Sequence, residues 1–270
     1  MKVLITTGRI LLGIALTGFG VIQMATQNFL TSLLPFNNLP IKFFWMNITA
    51  IIFTLCGILF ILRKWVTQAS GNTALLFTLF FLYPHLPRLI SNSKDPRVWT
   101  VAFETLAIAS GAWLICAIYI KNSGKIQKRI LPVQASEAVS RFFFAACLIV
   151  FGVQHFMYGE FIITLMPAWM PLKILWSYII KFGLLLAALS LILNKKVSLS
   201  MMLLGSMFFS WVAVLHAPRS FLKVNNANEW TSLCIALAMS GIAFYMSGFA
   251  AKGSNKTLGE KKEWVKNGFG

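Results

Sequence analysis

WMNITAIIFTLCGILFILRKWVTQASGNTALLFTLFFLYPHLPR, residues 45–88, returns 131 residues later as WSYIIKFGLLLAALSLILNKKVSLSMMLLGSMFFSWVAVLHAPR, residues 176–219. Identity between the copies is low, 11 of 44 positions, but the matches are not scattered aliphatics. Trp45 falls on Trp176, Leu62 on Leu193 and Lys64 on Lys195. A chain with three histidines puts two of them, His85 and His216, inside the same H-x-P-R string. Upstream, with one residue of slippage, Arg9, Phe19, Gly20, Val21, Phe29 and Pro35 match Arg141, Phe151, Gly152, Val153, Phe161 and Pro167; downstream, Trp99-Thr100 matches Trp230-Thr231. A repeat sets the unit of architecture before any helix is counted.

The unit is a membrane one. Hydrophobic residues make up 58% of the chain and charged residues 11%, against roughly 25% charge in soluble domains. Apolar runs long enough to cross a hydrocarbon core of about 30 Å lie near residues 7–25, 42–62, 73–90, 99–120, 138–158, 172–194, 197–216 and 229–250. Continuous runs rather than short alternating ones exclude a β-barrel. Four runs fall in each copy, so both copies enter the membrane from the same side. The expected fold is all-α: a polytopic membrane protein of eight transmembrane helices, arranged as two parallel four-helix repeats about an axis along the membrane normal. The boundaries are 1–121 for the first unit, 122–137 for a cytoplasmic linker, 138–251 for the second unit and 252–270 for a basic cytoplasmic tail. The apolar amino terminus reads as a retained helix rather than a leader, because its counterpart beginning at Arg141 lies in mid-chain.

Sixteen of the 24 basic residues fall on one side of this topology, among them Arg63, Lys64, Lys195, Lys196 and the tail lysines, and seven on the other. The positive-inside bias places both termini in the cytoplasm. The net charge of +17 is spread over short juxtamembrane loops, which suits anionic lipid headgroups and argues against nucleic acid as a partner. Cys56, Cys116, Cys147 and Cys234 lie singly inside apolar runs and read as small hydrophobes without disulfides. No histidine or carboxylate spacing suggests a metal, and there is no phosphate loop or nucleophile elbow.

Polar residues near the hydrocarbon are the informative ones, since each must be paired or face a wet cavity. His85 and His216 fall at the outer ends of the third and seventh helices, which Pro87 and Pro218 are expected to terminate. Arg88 and Arg219 follow one turn later. They form either a cap on the last carbonyls or an outward pocket for an anionic or carbonyl-bearing group. Gln154-His155 aligns with Ile22-Gln23, and Glu160 aligns with Asn28, at the same depth. The prolines Pro35 and Pro40, and Pro167 and Pro171, shape the outer loops. Lys181, about ten residues inside its helix, needs a partner; Glu104 in the fourth helix is the expected one, or else a wet cavity with Glu160 on its rim.

The order G-V-Q-H-F (152–156), L-M-P-A-W-M-P (165–171), W-S-Y (176–178), L-H-A-P-R (215–219) and N-E-W-T (228–231) resembles the DoxX-like family of small four-helix membrane proteins. The first half, with Y-P-H-L-P-R (83–88) and F-E-T-L-A-I-A-S-G (103–111), resembles a more diverged copy, so the chain reads as a tandem fusion covering nearly its whole length. Lys181 departs from the small residue that similar sequences carry after W-x-Y; Ala50 keeps it. The resemblance implies a bacterial inner (plasma) membrane protein, an accessory subunit or partner in a quinone-linked redox system, with a quinone as the cofactor to look for and a membrane or periplasmic redox partner. The alternatives are a transporter or binder of a small lipophilic or anionic molecule in the cleft between the repeats, or a structural or assembly protein without ligand. The residues leave open whether the chain is an enzyme, and its oligomeric state.

Overall fold

A computed structural model describes residues 1–31, 33, 34, 41–122 and 133–267, with residues 122, 133, 134 and 253–267 described by backbone alone. The described residues form helices and turns without strands. The helices are α1 (Lys2–Thr26), α2 (Lys42–Leu62), α3 (Val66–Phe80), α4 (Leu86–Ser91), α5 (Pro96–Asn122), α6 (Val133–Met157), α7 (Gly159–Leu165), α8 (Lys173–Leu193), α9 (Val197–Trp211), α10 (Ala217–Leu222) and α11 (Ala227–Asn267). Among them are eight spans long and apolar enough to cross a membrane, with α3–α4 and α9–α10 each acting as one span. The chain is a polytopic all-α membrane protein. Pro35, Pro40 and most of the 122–137 linker lie outside the described residues. The backbone of α11 continues through the expected tail as far as Asn267.

The sequence period is also a period of conformation. Left-handed backbone at Ile41, Arg63 and Trp65 recurs at Leu172, Asn194 and Lys196, each 131 residues on. The turn before α5 is built from Trp99 Nε1–H donating to the Ser93 carbonyl and the Arg97 amide donating to Asp95. Before α11, Trp230 donates to the Val224 carbonyl and the Asn228 amide to Asn226. Asp95 and Asn226 thus do the same work, satisfying an amide that has no partner within its helix.

Two expectations about helix limits change. The third span begins at Val66 rather than near residue 73: Thr67 to Asn72 lower the local hydropathy, but Ser70 returns its hydroxyl to the Val66 carbonyl at 2.6 Å and is buried. His85 and His216 do not end their spans. Each closes a π-helical turn, Phe81–His85 and Val212–His216, after which α4 and α10 continue to Ser91 and Leu222. The amides of Leu86 and Ala217 reach back to the Phe81 and Val212 carbonyls. The extra residue in the turn places Pro87 and Pro218 in the first turn of a new helix, where a missing N–H leaves no bond unmade.

The helices close into a ring in the order α1, α2, α3, α5, α6, α8, α9, α11 and back to α1, and α5 also touches α11 across the middle. The two four-helix sets interlock: α1 packs against α11 of the second half, and α6 packs against α5 of the first. Close approach of α1 depends on glycine, as expected where lipid leaves van der Waals packing to drive association. Gly8 meets Gly241 on α11. A Cβ added to Gly13 would come within 2.8 Å of the Gly57 carbonyl oxygen on α2.

Candidate functional site

A cavity of about 330 Å³ lies in the second half, enclosed by α5, α6, α7, α8, α9 and α11. Its polar lining is Thr100 and Glu104 from α5, Gln154 and His155 from α6, His216 from the π-turn and Ser232 from α11; Phe151, Phe208 and Trp211 supply the aromatic wall. The short helix α7 forms one side through Ile162, Leu165 and Met166. It exists because α6 breaks at Tyr158, and because Met166 turns extended before the Pro167–Pro171 loop.

Three of these six polar residues, Thr100, Gln154 and His155, have hydrogen-bond partners. Gln154 accepts from the Thr100 hydroxyl at 2.9 Å and donates to the Pro96 carbonyl at 2.8 Å, tying α6 to the start of α5. The His155 Nδ1–H donates to the Phe151 carbonyl at 2.7 Å. In the neutral ring that leaves Nε2 as an acceptor. His216 Nδ1 is covered and meets no partner. Glu104 is the exception with most consequence: among the described residues its carboxyl makes no hydrogen bond and no ion pair. An ionised side chain at the centre of a span costs roughly 2.5 to 3.5 kcal/mol even on insertion scales, so such residues face cavities and mark function.

Beside the cavity runs a mostly apolar groove of about 680 Å³ between α8 and α9. Its floor contains Gly183, Ser206 and Ser210, and Trp169 and Trp176 also line it. Ile180, Met207 and Trp211 line both spaces, so these three side chains form a wall common to the two.

The expected site residues divide into separate groups. Glu104, His155 and His216 come together in the cavity. His85 stays in the first half, buried, with Nε2–H donating to the Leu33 carbonyl at 2.9 Å. Arg88 is exposed. Arg219 donates to Glu229 at 2.9 Å, and Lys223 lies 3.3 Å from the same carboxylate. Each histidine keeps its arginine three residues on, but the two H-x-P-R strings do not converge on one pocket.

The Lys181–Glu104 pair does not form. Lys181 is buried, and its amine sits 3.8 Å from the centre of the Tyr178 ring and 4.9 Å from that of Phe156. Cation–π attraction replaces the carboxylate as its partner. It lines a separate pocket that Glu160 also lines, without an ion pair between them. The reason is rotational: Ile180 and Leu184 turn the other face of α8 to the Glu104 cavity. Thr100, Trp211 and Ser232 were not singled out from sequence for this site. The only signal was the repeated Trp-Thr pair that holds Thr100. Among the described residues no cluster of three His, Cys, Asp or Glu side chains is placed to hold a metal. The four cysteines are free and buried.

No protein-family model, no curated protein and no solved structure matches this chain. Fold and site together define the class: an integral membrane protein with eight apolar spans among its described residues and a partly polar cavity lined by the second half and α5.

Proposed function

We propose that the protein binds a small lipophilic molecule taken from the bilayer into the cavity of its second half. The carrying observation is the adjacency of that cavity to the α8–α9 groove, with Ile180, Met207 and Trp211 lining both. Pockets of this size with an apolar wall and a few polar groups are the common form of small-molecule sites. The position refines the expected cleft between repeats: it lies inside one half and is completed by α5 of the other. The 131-residue recurrence of turns and hydrogen bonds supports reading the two halves as parallel copies of one unit. The DoxX-like resemblance and the basic-residue bias support a bacterial inner membrane setting with cytoplasmic termini. In the quinone-linked form of this reading, a quinone headgroup occupies the same cavity.

Native mass spectrometry of gently purified protein tests the proposal. A small lipophilic adduct is expected on the wild type and should be lost from Leu184→Phe, which introduces the ring that Phe53 carries at the equivalent place. An adduct that survives Leu184→Phe and Trp211→Ala alike would place binding elsewhere.

A further inference from the structure

We propose that the cavity selects lipophilic organic cations, amines or quaternary ammonium groups on an apolar body, with Glu104 as the counter-charge. The inference rests on the cavity reading above and adds the charge of the occupant. It starts from which charges are already used. Arg219 and Lys223 are committed to Glu229, and Lys181 to the Tyr178 and Phe156 rings. Arg88 is exposed. No cation of the described chain is therefore within ion-pair distance of Glu104.

The neighbouring polar groups do not compensate either. Gln154 and Thr100 satisfy each other and the Pro96 carbonyl. His155 spends its Nδ1–H on Phe151 and offers the cavity an acceptor rather than a proton. Glu104, His155 and the aromatic side chains of Phe151, Phe208 and Trp211 thus line one space. Carboxylate, imidazole lone pair and aromatic faces all attract a cation, and each would be poorly matched by an anion. Entry from the groove requires the cation to carry apolar surface.

Protons compete for the same carboxylate, so cation binding weakens as pH falls. Of the titratable or charged groups on the elements around Glu104, His155 on α6 and His216 on the π-turn line the cavity with it, Cys147 on α6 is near enough to feel its charge, and Lys181 on α8 is near enough to His155 for charge repulsion between them. Glu137 and Arg141 belong to the first third of α6, Glu229, Cys234 and Tyr245 to α11, and His85 and Arg88 to the end of the third span. Protonation of His155 or His216 adds repulsion of the same sign, and the Leu33 carbonyl holds His85 in the first half.

Benzyltrimethylammonium and its uncharged isostere neopentylbenzene separate charge from shape. Binding of each to purified full-length protein in detergent should show the cation favoured by about tenfold or more. Glu104→Gln should lose that preference while retaining neopentylbenzene, and wild-type affinity for the cation alone should fall with decreasing pH. Should Glu104→Gln fail to fold, the pH series and Glu104→Asp decide the matter, since the shorter acid keeps the charge and should keep the preference in weakened form. Equal binding of the two probes, or cation affinity independent of pH, overturns the inference and leaves the cavity reading standing. Failure of both probes to bind overturns both.

Discussion

Where the first half places Phe19, Phe53, Phe77 and Phe80, the second half places Phe151, Leu184, Phe208 and Trp211 on the same backbone frame. In the first half the four rings pack tilted or edge-on against one another with centroids 5.6 to 6.3 Å apart, and Phe19, Phe53 and Phe77 are at most 1% exposed. Leu30, Leu33 and Leu34 seal the end that α7 leaves more open in the second half. Gln23 donates to the Thr49 hydroxyl at 2.8 Å, whereas its counterpart His155 faces a cavity opposite Ile180. Groove positions differ in the same direction: Gly183, Ser206 and Ser210 stand where the first half has Ile52, Leu75 and Leu79. Equivalent positions thus carry packed rings in the first half and line a cavity in the second, because the side chains at those positions differ in size and shape.

The widest split between the halves is expected on removing an equivalent ring. Phe77→Ala should cost about 3 to 5 kcal/mol, as deletion of a fully enclosed phenyl does. Phe208→Ala, at a wall already facing a void, should cost less than half of that. Denaturant unfolding in micelles measures both, and equal losses would remove the distinction between packed and open halves.

A smaller contrast is expected at the arginines. Arg219→Gln breaks a charge-assisted hydrogen bond to the largely buried Glu229 carboxylate, a loss of about 1.5 to 3 kcal/mol. At the equivalent of Glu229 the first half has Val98, so Arg88→Gln should stay within about 0.5 kcal/mol of wild type. Comparable melting shifts in the two variants would show that Arg88 has a partner of its own.

The smallest difference lies in the turns before α5 and α11. The hydrogen bond from the Arg97 side chain, followed by that from its amide, holds the Asp95 carboxyl below the ordinary carboxylate range. A depressed acid contributes stability that is present above its unfolded-state value and lost as pH falls through its folded-state value. The pair is exposed and the contribution slight. Asp95→Asn, which copies Asn226, should leave stability at neutral pH nearly unchanged and remove this acid-side dependence. A marked loss at neutral pH would mean that the two caps are not interchangeable.

The span count and the period were legible because hydropathy over about 20 residues is a local property, and because duplicated turn chemistry leaves Trp-Thr and H-x-P-R strings at fixed offset. The ends of the third and seventh spans were misread for a local reason too: proline two residues after histidine signals a stop unless a π-turn resets the helix, and nothing in Y-P-H-L-P-R announces that turn. Among the polar candidates, His155 and His216 were visible at the outer ends of their helices and Glu104 within a span, but their meeting was not.

From its residues alone the chain was legible as an all-α membrane protein, and eight apolar spans stand among the described residues; the recurring strings at an offset of 131 were legible in the same way. Tertiary structure decided that α5 of the first half completes the cavity of the second, that Lys181 rests on aromatic rings, and that Glu104 has no cation among the described residues within ion-pair distance. Helix rotation and the choice of neighbours around the ring govern those contacts. They depend on packing between segments more than a hundred residues apart, as Glu104 and His216 are, which no local window of sequence contains.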